Sequence, residues 1–545
     1  MRFLIVITVL ISACAAAPES TASGVPGLTF IYVNDTYRVA DVEDGTRGGF
    51  GRVITVIREA QGEGRDVHVL HGGDLLSPSL ESQIWHGDQM VKALNFVDDI
   101  APAYFVAGNH EFDIHDEDSA YFINAVNSSR FDWLGDNYVF KTGDDAADSK
   151  LLTAFTFMHG DKTIGVFALT LHPDDEGTAR NYVEYDRDYI ANAERVISEF
   201  EAKGVDMIIG ITHLHMTIDE KLAGLRQGHP KFEFIVGGHE HEADSRAQSN
   251  NSAAIFKGSS NARVIWRIDV NFDDDDVASF SATKLDMDDN VSKDVGYVQF
   301  ENDWRKELAH IYPIIDAKIG ETRHRFDVTE ENVRSRESGW GNYIVDQARG
   351  AFGKPQSDLA FINSGSLRID DYIADDITYE DIARTFVFSS QLRRMIVTGA
   401  EFLALLEAGY RSGGPNNGRG EGYFPQVSGF RVCVDRSRRD FSRIVSLQVP
   451  GTAGWAEIDD EQRYSLIIPD FLFGDRDGYV MPANARESAT PPGPVLQYLV
   501  LDAIIKSQAK GEPIGDKVDP ANPRFVELGA NRKDCWSAFL SPQGG

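Results

Sequence analysis

From Gly27 to about Phe272, short apolar runs alternate with stretches of helical spacing. Residues 28–33, 67–70, 104–107, 164–169, 207–211 and 234–236 have the length and side chains of buried strands, and 254–257 and 264–270 follow in the same style. Within 187–203, Ile190, Ala193, Val196, Ile197 and Phe200 recur at helical spacing and predict an amphipathic helix. Strands alternating with helices predict an α/β layered domain. Residues 298–319 predict a helix interrupted at Pro313 that connects to a second α/β segment running from about Arg325 to the end. The four-Asp run 273–276 follows a strand and reads as a solvated turn, since no calcium-loop spacing surrounds it.

A chain of 545 residues is too long for one ordinary domain and suits two or three. Its formal charge of -32 repels the phosphate backbone of DNA or RNA, which excludes polymeric nucleic acid as a partner. A small anionic substrate stays open, because bound divalent ions would dominate the local field. Met1-Arg2, the apolar run 3–11 and Ser12-Ala13-Cys14 read as a secretion signal too short to span a bilayer. Ile11 to Cys14 resembles the lipobox of bacterial lipoproteins. That reading predicts a signal peptide over 1–13, a lipidated Cys14 and a tether over 14–26. The body would then be exported and lipid-anchored on the periplasmic side of the membrane. A signal peptide cut nearby without lipidation is the alternative. Cys433 and Cys535 could pair after export, but spacing alone does not bring them together.

Five polar clusters directly follow predicted strands: 34–37, 72–74, 108–113, 212–215 and 237–241. In layered α/β folds the carboxyl ends of strands converge on one edge, where ligands bind. Asp35, Asp74, Asn109, His213, His239 and His241 would meet there. Oxygen and imidazole donors of this kind suit zinc, manganese or similar divalent ions. Two such ions roughly 3.5–4 Å apart activate water and neutralise phosphate oxygens, and Asp74 is the best candidate to bridge them. His110 directly follows Asn109, so it can face a phosphate rather than share that ion, and Asp113 could orient its ring. His172 and His215 are expected to be structural or to support the donors.

These blocks resemble the calcineurin-like metallophosphatase domain, in the branch carried by 5′-nucleotidases and UDP-sugar hydrolases; residues 108–113 are the most specific of them. The resemblance implies a four-layer αββα N-terminal domain over 27–297, a linker helix over 298–324 and a C-terminal α/β 5′-nucleotidase domain over 325–545. It implies two divalent ions, the first held by Asp35 and His241, the second by Asn109, His213 and His239, with Asp74 between them. His110 and Asp113 would stabilise the transition state. One position departs from the pattern: the family's usual His two residues after its first Asp is Tyr37 here. A neutral phenol, with a pKa of about 10, is a poor ligand. The first site would be weaker, recruit water or prefer a different ion.

The resemblance continues through 337–342 and through 360–368, where Arg368 follows a Gly turn and could grip phosphate bidentately. Blocks 423–429 and 469–478 match the family's specificity segments, which implies that Phe424 and Phe471 sandwich a base and Asp477 contacts the sugar. Stacking of this kind is worth roughly 1–3 kcal/mol per base and tolerates different bases. The family's Gly-Gly-Asp is Asp475-Arg476-Asp477 here, so either that loop is rebuilt or the substrate has changed. Arg411 and Arg419 read as members of a solvated loop rather than as phosphate contacts. The function implied is hydrolysis of nucleoside 5′-monophosphates or related nucleotides such as UDP-sugars, releasing phosphate outside the cytoplasm. The alternatives are a 2′,3′-cyclic nucleotide or another ester, such as a thiosulfate conjugate, on the same fold, and a catalytically silent nucleotide-binding lipoprotein.

Overall fold

Apolar runs buried on both faces need a layer on each side, and the N-terminal half supplies four. The computed structural model describes residues 26–113, 119–172, 180–273, 276–413, 416–515, 518–529, 532 and 534–536. The predicted signal peptide, Cys14 and the tether as far as residue 25 lie outside the described residues. The strands are β1 (Leu28–Val33), β2 (Asp66–His71), β3 (Ala103–Val106), β4 (Asp132–Leu134), β5 (Leu151–Leu152), β6 (Phe155–His159) and β7 (Lys162–Thr170). They continue with β8 (Met207–His213), β9 (Phe232–Gly237), β10 (Asp244–Arg246), β11 (Ala254–Lys257), β12 (Val264–Phe272) and β13 (Ala278–Asp286). One sheet runs β13-β12-β1-β2-β3-β4-β5 and the other β10-β11-β9-β8-β7-β6. Helices α1 (Phe50–Gly62) and α2 (Asp88–Asp98) cover the first sheet, α3 (Tyr189–Ala202) and α4 (Met216–Ala223) the second.

Period-two alternation sorts the second sheet between its two neighbours. Val166, Ala168, Ile209, Ile211, Phe234 and Val236 face the first sheet. Phe167, Leu169, Ile208 and Ile235 face Ala193, Val196, Ile197 and Phe200 of α3. The Asp188 side chain caps α3 by accepting the Ala191 N–H at 3.0 Å. The four-Asp run joins the antiparallel strands β12 and β13; residues 274–275 of it lie outside the described set.

The predicted connecting helix is α5 (Val295–Ile311), beginning earlier than expected and stopping short of 319. Pro313 disfavours helical conformation at Tyr312, which closes the helix; Lys318–Glu321 is a strand. Tyr297 packs against Phe50 and Phe96, and Trp304 against Trp85. The helix is therefore seated on the N-terminal half, and the boundary expected after residue 297 falls inside it.

The C-terminal half has a four-stranded sheet ordered Leu392–Thr398, Arg463–Pro469, Leu359–Asn363, Pro425–Ser428. A second sheet contains Arg431–Val434 flanked by Ile444–Gly451 and Phe525–Glu527. Cys433 and Cys535 are joined in a disulfide that ties this sheet to the C-terminal segment.

Among the described residues, no buried apolar cluster spans both halves. They meet instead through charged groups: Arg384 with Glu81 at 2.7 Å, Arg263 with Asp370 at 2.6 Å and Arg38 with Asp371 at 3.3 Å. None of the described helices is long and apolar enough to cross a membrane.

Candidate metal centre

The ends of β1, β2, β3, β8 and β9 lie side by side, and the polar residues that follow them form one rim. Asp35, Asp74, His239 and His241 all adopt positive φ, at 51°, 58°, 87° and 61°. L-residues pay for that conformation in strain, which concentrates where geometry serves function. Crowding is severe: a Cβ on Gly108 would stand 2.1 Å from Asp74 Oδ1. Only glycine fits there.

Asp35 Oδ1 lies 3.2 Å from His241 Nε2. Asp74 Oδ2 lies 3.4 Å from His213 Nε2, and Asn109 Oδ1 stands 3.1 Å from His213 Nε2 and 3.2 Å from His239 Nδ1. Donors around an ion held at about 2.0–2.2 Å stand roughly 3–3.6 Å from one another, so these separations fit a coordination shell. The Tyr37 hydroxyl oxygen belongs to the same arrangement, 3.2 Å from Asp35 Oδ1, 3.2 Å from Asp74 Oδ2 and 2.8 Å from His241 Nε2. The phenol thus occupies the corner where the related pattern has histidine, rather than turning away. Asp35, Asp74 and His213 each bring a ligand atom within 4.8 Å of the others. Tyr37 and His241 lie on the Asp35 side of this group, and Asn109 and His239 on the His213 side.

Hydrogen bonds fix the orientation of these groups. His213 donates Nδ1–H to the Gly72 carbonyl at 2.7 Å, which turns Nε2 toward Asp74 and Asn109. Asp35 Oδ2 accepts from Asn34 Nδ2 at 2.6 Å and from the His239 N–H at 3.0 Å. Asp74 Oδ1 accepts the His110 N–H at 2.8 Å. Behind the loops carrying His213 and His239, the buried Lys257 ammonium pairs with Asp219 and Glu240 and donates to the Gly238 carbonyl at 2.9 Å.

Electrostatics favour cations here. Burial opposes charge on His213, yet Asp74 and Asp35 outweigh it and push the imidazole up to about 10. Burial likewise opposes charge on His241, but Glu330 and Asp35 push it up to about 9. His239 goes the other way: burial, with His215 and His213 nearby, holds it neutral and ready to ligate. The chemistry of the donors and the negative field therefore both suit divalent ions.

His110 stands beside this rim. Its Nδ1 is 2.8 Å from Asp113 Oδ2, which also accepts the Ser77 hydroxyl at 2.9 Å. Its Nε2 faces the cleft, 3.5 Å from an Arg368 guanidinium nitrogen of the C-terminal half. That cleft measures about 1140 Å³ and runs from Asp74, Asn109 and His239 to Arg368, Tyr423, Phe471 and Asp477.

The second aromatic of the expected sandwich is misplaced. Phe424 is fully buried, packed against Tyr410 and Phe525. Its neighbour Tyr423 points to the cleft, with the Arg411 guanidinium 3.5 Å from its ring centre. Both rings belong to the core of the C-terminal half, Tyr423 at its cleft-side margin and Phe424 wholly inside it. Phe471 is 42% exposed on the opposite wall. Asp477 accepts from Asn363 Nδ2 at 2.9 Å, while its carbonyl accepts from Arg411 at 2.7 Å. Arg411 is therefore part of the cleft wall and not of a solvated loop, whereas Arg419 pairs with Glu527 on the surface. Asp475 accepts the Met481 N–H at 2.8 Å and pairs with Arg486, so the altered loop is internally braced. His215 lies edge-on to the His239 ring, and His172 bonds Arg187 away from the rim.

Two residues escaped the sequence reading. Glu111 is buried and accepts the N–H groups of Asp74, Leu75, Leu76 and Gly108, the first at 2.9 Å and the third at 3.0 Å. Its place inside the 108–113 block was the available signal. Glu330 touches His241 from the other half of the chain, and no local pattern marks it.

Residues 28–243 match the calcineurin-like phosphoesterase family, and 318–484 match the 5′-nucleotidase C-terminal domain. The chain is 24% identical over 546 residues to the trifunctional nucleotide phosphoesterase protein YfkN of Bacillus subtilis; the match takes in 92% of this chain and 35% of that protein, so it spans about a third of that relative's length. It is 25% identical to snake venom 5′-nucleotidase of Gloydius brevicauda, over 86% of this chain and 84% of that protein. Its fold matches the 5′-nucleotidase precursor from Thermus thermophilus with a TM-score of 0.76 and 21% identity, over 92% of this chain and 99% of that one. Calcineurin-like phosphoesterases work with divalent metal ions, and the donor rim described above suits them. The chain belongs to the 5′-nucleotidase family of phosphoester hydrolases, in which a calcineurin-like phosphoesterase domain precedes a 5′-nucleotidase C-terminal domain.

Proposed function

We propose that the chain hydrolyses nucleoside 5′-monophosphates or related nucleotides, UDP-sugars among them, and releases phosphate outside the cytoplasm. The observation that carries this reading is the single cleft that joins the donor rim to Arg368, Tyr423, Phe471 and Asp477. Asp35 and His241 would hold one divalent ion, with the neutral Tyr37 phenol beside them, and Asn109, His213 and His239 a second, with Asp74 between them. When bound, such ions activate water for attack and neutralise charge on phosphate oxygens. His110, held by Asp113, places its Nε2 where charge develops on the ester, and Arg368 adds a second cationic group beside it. Phe471 offers an exposed aromatic face for a base, and Asp477 offers a carboxylate for the sugar.

Release of inorganic phosphate from a panel of mononucleotides, UDP-glucose, 2′,3′-cyclic AMP and a non-nucleotide ester, measured with defined divalent ions, tests the reading. Preference for the non-nucleotide ester would overturn it. Within that panel, Phe471→Ala is expected to raise KM for the nucleotide about 5- to 150-fold, in line with roughly 1–3 kcal/mol of stacking, and to change kcat much less. An unchanged KM would remove Phe471 from the base site.

Export and lipid anchoring at Cys14 belong to the same proposal. A disulfide in the C-terminal half suits an oxidising compartment. Cys14→Ala is expected to abolish incorporation of labelled palmitate and to release the protein from membranes; retention of label would refute lipidation at this residue.

A further inference from the structure

We propose that Glu330, carried by the C-terminal half, is the positioning residue for His241, so that the donor set of Asp35, Asp74 and His241 is completed only by contact between the two halves. The inference rests on the reading of these residues as metal donors and adds to it a dependence on the domain interface.

His241 has two ring nitrogens with different tasks. Nε2 faces Asp35 Oδ1 at 3.2 Å and the Tyr37 oxygen at 2.8 Å. Nδ1 lies 2.6 Å from Glu330 Oε2. A ligating histidine that donates its other N–H to a carboxylate gains a fixed tautomer, a fixed ring plane and greater basicity at the ligating nitrogen. Need for such a guide is high here, because His241 sits on a backbone at φ 61°, outside the range that side chains comfortably adopt.

Glu330 is built to stay in place. It opens the short helix Glu330–Val333, and its N–H donates to Asp370 Oδ1 at 2.9 Å. Arg334 pairs with Oε1, and an Arg368 nitrogen stands 3.9 Å from the same oxygen. These two guanidinium groups hold the far side of the carboxylate and leave Oε2 for His241. Ser260, from the N-terminal half, also donates to Oε2 at 3.2 Å. A carboxylate pinned in this manner can orient an imidazole without itself turning toward an ion.

The second donor set has a different arrangement. His213 is oriented by the Gly72 carbonyl, which lies in its own half. The dependence on the C-terminal half is thus one-sided: it touches the Asp35, Tyr37 and His241 side and not the His213 side. A general loosening of the protein would weaken both ions alike, whereas loss of Glu330 alone should weaken one.

The test uses the full chain with Mn2+ alone as the probe, and titration calorimetry and metal analysis after dialysis as readouts. Glu330→Ala is expected to weaken one Mn2+ binding event about 10–100-fold and to leave the other within a factor of three. Glu330→Gln, which keeps an acceptor oxygen and the side chain's shape, is expected to recover much of the loss. Excess Mn2+ should restore kcat in both variants, with KM for the nucleotide little changed. Unaltered Mn2+ binding in Glu330→Ala, or equal weakening of both events in the isosteric Glu330→Gln, would overturn the proposal. If the wild-type chain binds two ions but cleaves no nucleotide, the functional reading fails while the Mn2+ data still decide the role of Glu330. If it binds none, both fall.

Discussion

Replacing His110 with alanine is expected to lower kcat by about 10²–10⁴-fold while bound metal stays at the wild-type level. That range corresponds to roughly 3–5 kcal/mol of lost transition-state stabilisation. His110 shares a backbone segment with Asn109, yet its ring takes a separate course. Its Nδ1 is held by Asp113 at 2.8 Å and its Nε2 looks into the cleft toward Arg368. Burial opposes protonation of this ring, but Asp113 and Asp74 outweigh it and raise its basicity. An imidazole placed like this can hold positive charge beside a phosphate ester. The backbone N–H of His110, which Asp74 Oδ1 accepts, survives the substitution, so the donor rim should persist. Metal analysis beside phosphate-release kinetics checks both halves of the expectation. A kcat within tenfold of wild type, or a parallel loss of metal, would deprive His110 of this role.

Glu111→Ala is expected to be more destructive, because it removes the group that shapes the Asp74 loop. The Glu111 carboxylate gathers the N–H groups of Asp74, Leu75, Leu76 and Gly108 in the interior. Burial and the neighbouring Asp74 push its carboxyl up to about 7, even against those donors. Alanine would leave four buried N–H groups without an acceptor, at about 1–3 kcal/mol for each that water cannot reach. Asp74 also sits at φ 58° and depends on its surroundings to hold that conformation. A fall in melting temperature of roughly 10 °C is expected if about 3–5 kcal/mol is lost from a domain of this size, together with loss of tightly bound metal that added ion does not restore. Calorimetry and metal analysis would show it. A stable variant with full metal content would mean that the loop is organised by something else.

How far the sequence reached can be followed residue by residue. The long strands were readable because both of their faces are buried, which leaves unbroken apolar runs such as 207–211. β4, β5 and β10 were not, since strands of two or three residues carry no period. β13 alternates between half-buried and exposed positions along the open side of its sheet, too polar to stand out. The convergence of Asp35, Asp74, Asn109, His213, His239 and His241 was legible because each lies at or just beyond a strand end, and strand ends in this fold share one edge. Phe424 failed for a simple reason: a pattern match does not show that an aromatic is packed wholly inside the core. Arg411 is joined to the cleft by Asp477, 66 positions away, and Glu330 to His241 across 89. Pairings at such separations leave no local trace.

The seam between the halves has a thermodynamic corollary. Arg384–Glu81, Arg263–Asp370 and Arg38–Asp371 are charges that water would solvate if the halves parted, and among the described residues no shared apolar cluster would be uncovered. Heat capacity responds chiefly to hydrocarbon meeting water. Separation should therefore be almost silent in heat capacity, and each half should melt on its own schedule, as two endotherms rather than one.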